Sequence, residues 1–338
     1  MTDNDTSLRQ RLIGLIKRFA DQRVVVVGDA IADQFIYGAI SRVSREAPVF
    51  ILQHEQTETV PGGAANCALN LASLGANVSL ISVAGDDEAG RSLIKALTAG
   101  GVDCSGVTIS RDLRTTTKVR ILAGQVHSTR QQVIRIDYDG QSLTDPPLRQ
   151  ALSDQLRSKA SDADALVISD YNYGVADNQI ASLALESAKL RNIPLLADSR
   201  FRLTNFAGFT SATPNQDEVE QLTGRQFDKT DELVKAGEEL RARLGHRALL
   251  VTRGSNGLML LENGAAPLHL EAVGAHDPVD VTGAGDTVMA AYTLALASGA
   301  SFADAARLAN YAGGLVVMKR GTACVTSQEL ENSIIHLS

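Results

Sequence analysis

The sequence predicts an α/β fold built on a mostly parallel sheet covered by helices on both faces, with a small second sheet forming a lid. Three observations predict it. Short β-branched or apolar runs recur along the chain, helical patterns separate most of them, and two early stretches read as strands with no helix between them. Alternation of this kind places ligands outside the carboxyl ends of the strands.

The elements follow in order. Leu8, Leu12, Leu15, Ile16 and Phe19 fall at helical spacing and predict an amphipathic N-terminal helix. Val24 to Val27 is a four-valine run stopped by Gly28-Asp29, as a strand buried on both faces would be. Further strands are expected at 78–83, 165–168, 194–197 and 248–252, with helices at 64–74, 88–98, 148–159, 178–191 and 232–244. The C-terminal part reads as helical at 286–298, 302–319 and 328–335. The lid stretches are 34–59 and 115–138, inserted in one domain that covers 1–338 without repeat or linker.

Composition excludes several classes. With 44% hydrophobic and 21% charged residues among 338, the chain is neither disordered nor fibrous. A formal charge of −7 argues against a nucleic-acid partner, while leaving room for a local basic pocket. Cys67, Cys104 and Cys324 are dispersed, with neither CxxC nor paired His, so neither a disulfide framework nor a zinc site is expected. The N-terminus lacks the apolar core of a signal peptide, and the apolar run at 288–297 is about half the length of a membrane span. No membrane partner and a cytoplasmic location are expected.

Chemistry concentrates in three segments. Asp280-Val281-Thr282-Gly283-Ala284-Gly285-Asp286 runs directly into an apolar helix. Its glycine turn can present backbone N–H groups to a phosphate, and Asp286 can take a proton from an attacking hydroxyl. Pro61-Gly62-Gly63-Ala64-Ala65-Asn66 opens another helix, where Gly62 and Gly63 admit a substrate to the backbone and Asn66 offers a donor and an acceptor. Asn215 and Glu218 stand three apart at a helix start. They can hold a hydrated Mg²⁺ near phosphates, or they can be a capping pair.

Together these segments resemble the ribokinase-like, or PfkB, carbohydrate kinases, with Thr252-Arg253-Gly254 in the expected order between them. The resemblance spans 24–337 and implies a ribokinase-like three-layer α/β/α sandwich. Within the family, Val26-Val27-Gly28-Asp29 with Asp33, the segment from Ser41 through Arg42 and Arg45 to Val49, and Thr117-Lys118-Val119-Arg120 are similar to the heptose-7-phosphate kinase branch. So are the segment 132–137, which contains Arg135, and Ser169-Asp170-Tyr171. Tyr173 and Arg200 stand where that branch often carries Lys.

The resemblance implies transfer of the γ-phosphoryl group of ATP, with Mg²⁺, to O1 of D-glycero-β-D-manno-heptose 7-phosphate, a step toward lipopolysaccharide core precursors. A monovalent cation is a further cofactor the family can use. Asp286 would be the base, and Gly283, Ala284 and Gly285 would stabilise the transferred group. Asp29, Asp33, Asn66 and Asp170 would meet the sugar, and Arg42, Lys118, Arg120 and Arg135 its phosphate. Asn215, Glu218, Thr252, Gly254, Asn310 and Gly313 would border the nucleotide and its metal. Some relatives carry a fused nucleotidyltransferase, and a stand-alone kinase is expected here. Exposed lid edges predict a homodimer.

Two other enzyme folds fit less well. Val27-Gly28-Asp29-Ala30 lacks the Gly-x-x-Gly of a dinucleotide fold, and no GxxxxGK[ST] loop occurs. A kinase for ribose, fructose or another phosphorylated sugar, and a non-catalytic binding regulator, remain the competing readings.

Overall fold

The structure, a computed structural model, describes residues 3–124, 130–140, 143–274 and 278–336. Part of the second expected lid stretch, 125–129, lies outside the described residues.

The chain opens with α1 (Asp3–Ile16), β1 (Arg23–Gly28), and the long strands β2 (Ala30–Val43) and β3 (Phe50–Gly63). Next come α2 (Ala64–Ser73), β4 (Asn77–Gly85), α3 (Glu88–Ala99), β5 (Val102–Ser110), β6 (Thr117–Gly124) and β7 (Gln131–Tyr138). The middle alternates through α4 (Pro146–Ala160), β8 (Ala165–Asp170), α5 (Asn178–Arg191), β9 (Leu195–Ser199) and β10 (Ser211–Ala212). After α6 (Gln216–Thr223) and α7 (Thr230–Leu244) follow β11 (Ala248–Thr252), β12 (Leu258–Glu262) and β13 (Leu268–Leu270). Three helices end the chain, α8 (Ala284–Ala297), α9 (Phe302–Val316) and α10 (Ser327–His336).

Nine strands form the large sheet in the order β13-β12-β11-β10-β9-β8-β1-β4-β5. Its pairings are parallel from β11 through β5, and β12 and β13 add on antiparallel. The side-chain period of two splits each central strand between two cores. Val24 and Val26 pack on one side with Leu71 of α2, Met289 and Tyr292 of α8, and Leu308 of α9. Val25 and Val27 pack on the other with Leu156 of α4, Ile180 of α5 and Leu240 of α7. That double burial is why these strands read as unbroken apolar runs.

Strand order reverses between β1 and β8, which pair in parallel from Val24↔Ala165 to Gly28↔Ser169. A parallel sheet opens a crevice at such a reversal, beyond the carboxyl ends of its strands. Over that end stands a four-stranded sheet in the order β3-β2-β6-β7, contributed by the segments expected to form the lid. Its register sets Asp33 opposite Lys118 and Phe35 opposite Arg120, so these four side chains share one face.

Four strands escape the sequence patterns for identifiable reasons. Residues along β5 alternate irregularly between buried and exposed, and β10 is two residues long. A short turn through Gly257 joins β11 to β12, and β13 is three residues long, so neither of these antiparallel strands has the helix that marks the other repeats.

Phe206 is fully buried, with its ring 5.6 Å from that of Phe209. Phe206→Ala is expected to cost about 3–5 kcal/mol, because the large core cavity collapses only in part. Urea unfolding would show it as a lower midpoint at unchanged slope.

Candidate active site

Two helix N-termini meet above the crevice. Gly283 precedes α8 with φ 77°, a left-handed conformation that favours glycine. A Cβ there would stand 2.7 Å from Asn66 Nδ2, so the position is closed to side chains on a second ground. No side chain caps α8; the Ala284 N–H donates to the Val281 carbonyl, and those of Gly285 and Asp286 are left for an anion. Asn66, in the first turn of α2, donates from Nδ2 to Asp286 Oδ2 at 2.6 Å. Asn70 donates to Asn66 Oδ1 and accepts from Thr287 Oγ1, so the two helices are locked by a buried relay. Tyr171, on the turn after β8, donates its hydroxyl to Asp286 Oδ1 at 3.4 Å.

Asp286 borders a cavity of about 570 Å³. Carboxylates line it: Asp286, Asp198 at the end of β9, and Glu218 in α6. So do three cations: Lys118 and Arg120 from β6, and Arg200 from the turn after β9. Burial, then the neighbouring Asp198, pushes Asp286 up to about 8, against the hydrogen bonds from Asn66 and Tyr171. Burial and Asp198 likewise raise Glu218 to about 7. Burial, with Asp170 beside it, raises Asp198 to about 6. Burial lowers Lys118, and Asp33 opposes that fall. Carboxylates whose ionisation is disfavoured in this way gain from a cation brought beside them.

A second cavity of about 200 Å³ adjoins the first. Leu258, Val273, Val288 and Val317 make it apolar, and Gly254, Ala284, Asn310 and Gly313 also border it. Asn310 is anchored there, its Nδ2 donating to the Glu271 carbonyl at 2.6 Å. Thr252, Val281 and Gly285 line both cavities, so a molecule with a flat apolar end and an anionic tail can thread from one into the other.

The structure brings together most of the expected residues and leaves Asp29, Arg42 and Arg135 outside the larger cavity. Asp33, Gly62, Gly63, Asn66, Lys118, Arg120, Asn215, Glu218, Thr252, Gly283, Gly285 and Asp286 all line the larger cavity. Asp29 does not. Its Oδ2 accepts from the backbone N–H groups of Tyr171 and Tyr173, and its Oδ1 from that of Val175, so the carboxylate is spent on a turn. Asp170 reaches the wall, but Arg202, Ser199 Oγ and the Asn172 N–H occupy its carboxylate. Arg42 is exposed at the far end of β2, and Arg135 pairs at two points with Asp137 on β7, so neither reaches the cavity.

Arg120 is itself paired, donating from Nη1 to Asp33 Oδ1 at 2.6 Å. Asn215 and Glu218 form a reciprocal capping box, each accepting from the other's backbone N–H. Among the described residues no three His, Cys, Asp or Glu side chains cluster as a metal site, so an ion here would draw on water and phosphate oxygens. Sequence reasoning missed Asp198 and the cavity role of Arg200. Their signal was available, since both lie just beyond a recognised buried strand.

Asp286 carries a pH signature of its own. Its folded-state value lies above its unfolded one, so the folded protein holds the proton longer and this group withdraws stability as pH rises from about 4 to about 8. Ligand-free Asp286→Asn is expected to melt higher than wild type near pH 8, with the gain vanishing near pH 4. Thermal melts across that range check it.

Comparison with known proteins agrees with this geometry. The profile described as pfkB family carbohydrate kinase matches residues 21–328. Over 318 residues the chain is 42% identical to the bifunctional protein HldE of Pseudomonas aeruginosa, and 41% identical to that of Stutzerimonas stutzeri. Each match covers 94% of this chain and 64% of the relative, so the chain spans less than two thirds of those proteins. Escherichia coli phosphofructokinase-2, solved with potassium, superposes with a TM-score of 0.77 at 20% identity, covering 93% of this chain and 98% of that one. Arabidopsis thaliana ribokinase, solved with ribose and ATP, gives 0.74 at 22% identity, covering 94% and 99%. The fold is ribokinase-like, and the chain belongs to the pfkB family of carbohydrate kinases, phosphotransferases that act on an alcohol group.

Proposed function

We propose that this kinase phosphorylates O1 of D-glycero-β-D-manno-heptose 7-phosphate, with ATP as donor, to give the 1,7-bisphosphate used for lipopolysaccharide core precursors. The observation that carries this reading is the trio Lys118, Arg120 and Arg200 lining the cavity that holds Asp286. A neutral sugar needs no such cluster, whereas a phosphorylated one meets charge-assisted bonds there. Sequence likeness to the heptose-7-phosphate kinase branch points the same way. Arg200, standing where that branch often has Lys, keeps the charge.

Asp286 takes the proton of the O1 hydroxyl as that oxygen forms its bond to the γ-phosphorus and the bond to the β,γ-bridging oxygen breaks, releasing ADP. Asn66 holds Asp286 and, with Asp33, meets the sugar hydroxyls. In the Gly283-Ala284-Gly285 turn the N–H groups of Gly283 and Gly285 stabilise charge on the transferred group, while that of Ala284 donates to the Val281 carbonyl. Adenine lies in the apolar cavity beside Gly254, Asn310 and Gly313, and the phosphates pass Thr252 and Gly285. Bound Mg²⁺ would neutralise phosphate charge, held through water by Asn215 and by the Glu218 oxygen not used in the cap. The small sheet acts as a lid over the sugar. Its β7 exposes all eight residues, Val133, Ile134 and Ile136 among them, which supports a homodimer through this sheet.

Asp286→Asn is expected to lower turnover by about 10²–10⁴-fold while ATP still binds. Retained turnover with identified product would remove Asp286 from the base role. Lys118→Ala and Arg120→Ala are each expected to raise the KM for heptose 7-phosphate by roughly tenfold or more and to leave that for ATP near wild type. Arg42→Ala, outside the cavity, serves as the control. An unchanged sugar-phosphate KM in both lid variants would overturn the heptose-phosphate reading.

A further inference from the structure

The turn after β8 is held far more firmly than a surface connection needs. Asp29 gathers the N–H groups of Tyr171, Tyr173 and Val175 at 2.8–3.0 Å, and Asp170 takes that of Asn172 at 3.1 Å. Asn172 sits in the left-handed region at φ 66°, a conformation that persists where surrounding bonds over-determine it. Two buried carboxylates therefore fix one short turn. The side chain this turn delivers to the larger cavity is Tyr171.

Tyr171 touches charge of both signs in the site. Its hydroxyl reaches Asp286 Oδ1, the oxygen that Asn66 leaves free. Over its ring stands Lys118 Nζ, 5.6 Å from the centroid, within cation–π range. We propose that Tyr171 is a positioning residue, which fixes the orientation of the Asp286 carboxylate with its hydroxyl and seats Lys118 on its ring. The inference rests on the reading of Asp286 as the base and extends it to how base and sugar-phosphate cation are set relative to one another.

The charge around Asp286 makes a donor at Oδ1 consequential. Asp198 faces it from β9, Asp33 from β2, Cys67 from α2 and Cys324 from the segment before α10. Asp198 and Asp33 disfavour its ionised form, the two cysteine thiols being neutral where Asp286 titrates, and the donors set against them are Asn66 and Tyr171. Without the hydroxyl, Asp286 holds its proton to higher pH.

The test compares two substitutions, read with ATP and heptose 7-phosphate. Tyr171→Phe keeps the ring and loses the donor. Its acidic limb of kcat against pH is expected to move up by on the order of one unit, with both KM values within about twofold of wild type. Tyr171→Leu also removes the ring, and is expected to raise the KM for heptose 7-phosphate several-fold while that for ATP stays put. An unmoved acidic limb in Tyr171→Phe overturns the hold on Asp286. An unchanged sugar-phosphate KM in Tyr171→Leu overturns the seat for Lys118. Asp286→Asn separates the two levels. If it keeps turnover, the base reading itself fails; if it is inactive while Tyr171→Phe follows the wild-type profile, this inference alone fails.

Discussion

The 2.6 Å hydrogen bond from Asn66 to Asp286 is the constraint on which the site depends. It joins the first turns of α2 and α8, two helices that reach the crevice from opposite ends of the sequence. Each enters through a glycine of positive φ, Gly63 before α2 and Gly283 before α8, so the backbones approach more closely than side chains would allow. Asn70 and Thr287 extend the contact one turn deeper. A buried carboxylate without these partners would be expelled or stay neutral. With them it is retained where two helix termini supply partial positive charge.

How much of this was legible follows from the kind of signal each part carries. The central strands announce themselves because both faces are buried, so Val24 to Val27 has no polar position to interrupt it. The antiparallel strands β12 and β13 form a meander with β11 without a helix and lack that rhythm. Within the site, residues whose chemistry depends on backbone, such as Gly283 and Asp286, were readable from local spacing. Residues whose role depends on which neighbour wins their hydrogen bonds were not. Asp29 and Asp33 lie four apart in one motif, yet backbone amides consume the first while the second faces Arg120 in the cavity. Spacing along a strand told which side Lys118 and Arg120 share, and could not tell that Arg135 turns to Asp137 on its own strand.

Charge of both signs lines the one cavity. Asp198 raises the proton affinity of both Glu218 and Asp286, while Arg200 favours the charged form of Glu218 and Asp33 that of Lys118. Complete pairing would have left a stable ion-pair network with little to offer a substrate. Arg120 is paired with Asp33, and a guanidinium with five N–H donors can serve that carboxylate and still face an anion. The raised carboxylates gain from a cation, and the lining cations gain from an anion. A phosphorylated sugar and a metal-bound nucleotide, bound together, supply both at once. Each brings charge that favours the other's groups, so the two substrates should bind with positive coupling, strongest at low ionic strength where the fields in the cavity are least screened. Titration of one substrate in the presence and absence of the other, at two salt concentrations, measures that coupling. Equal affinities in all four conditions would show that the two substrates bind independently.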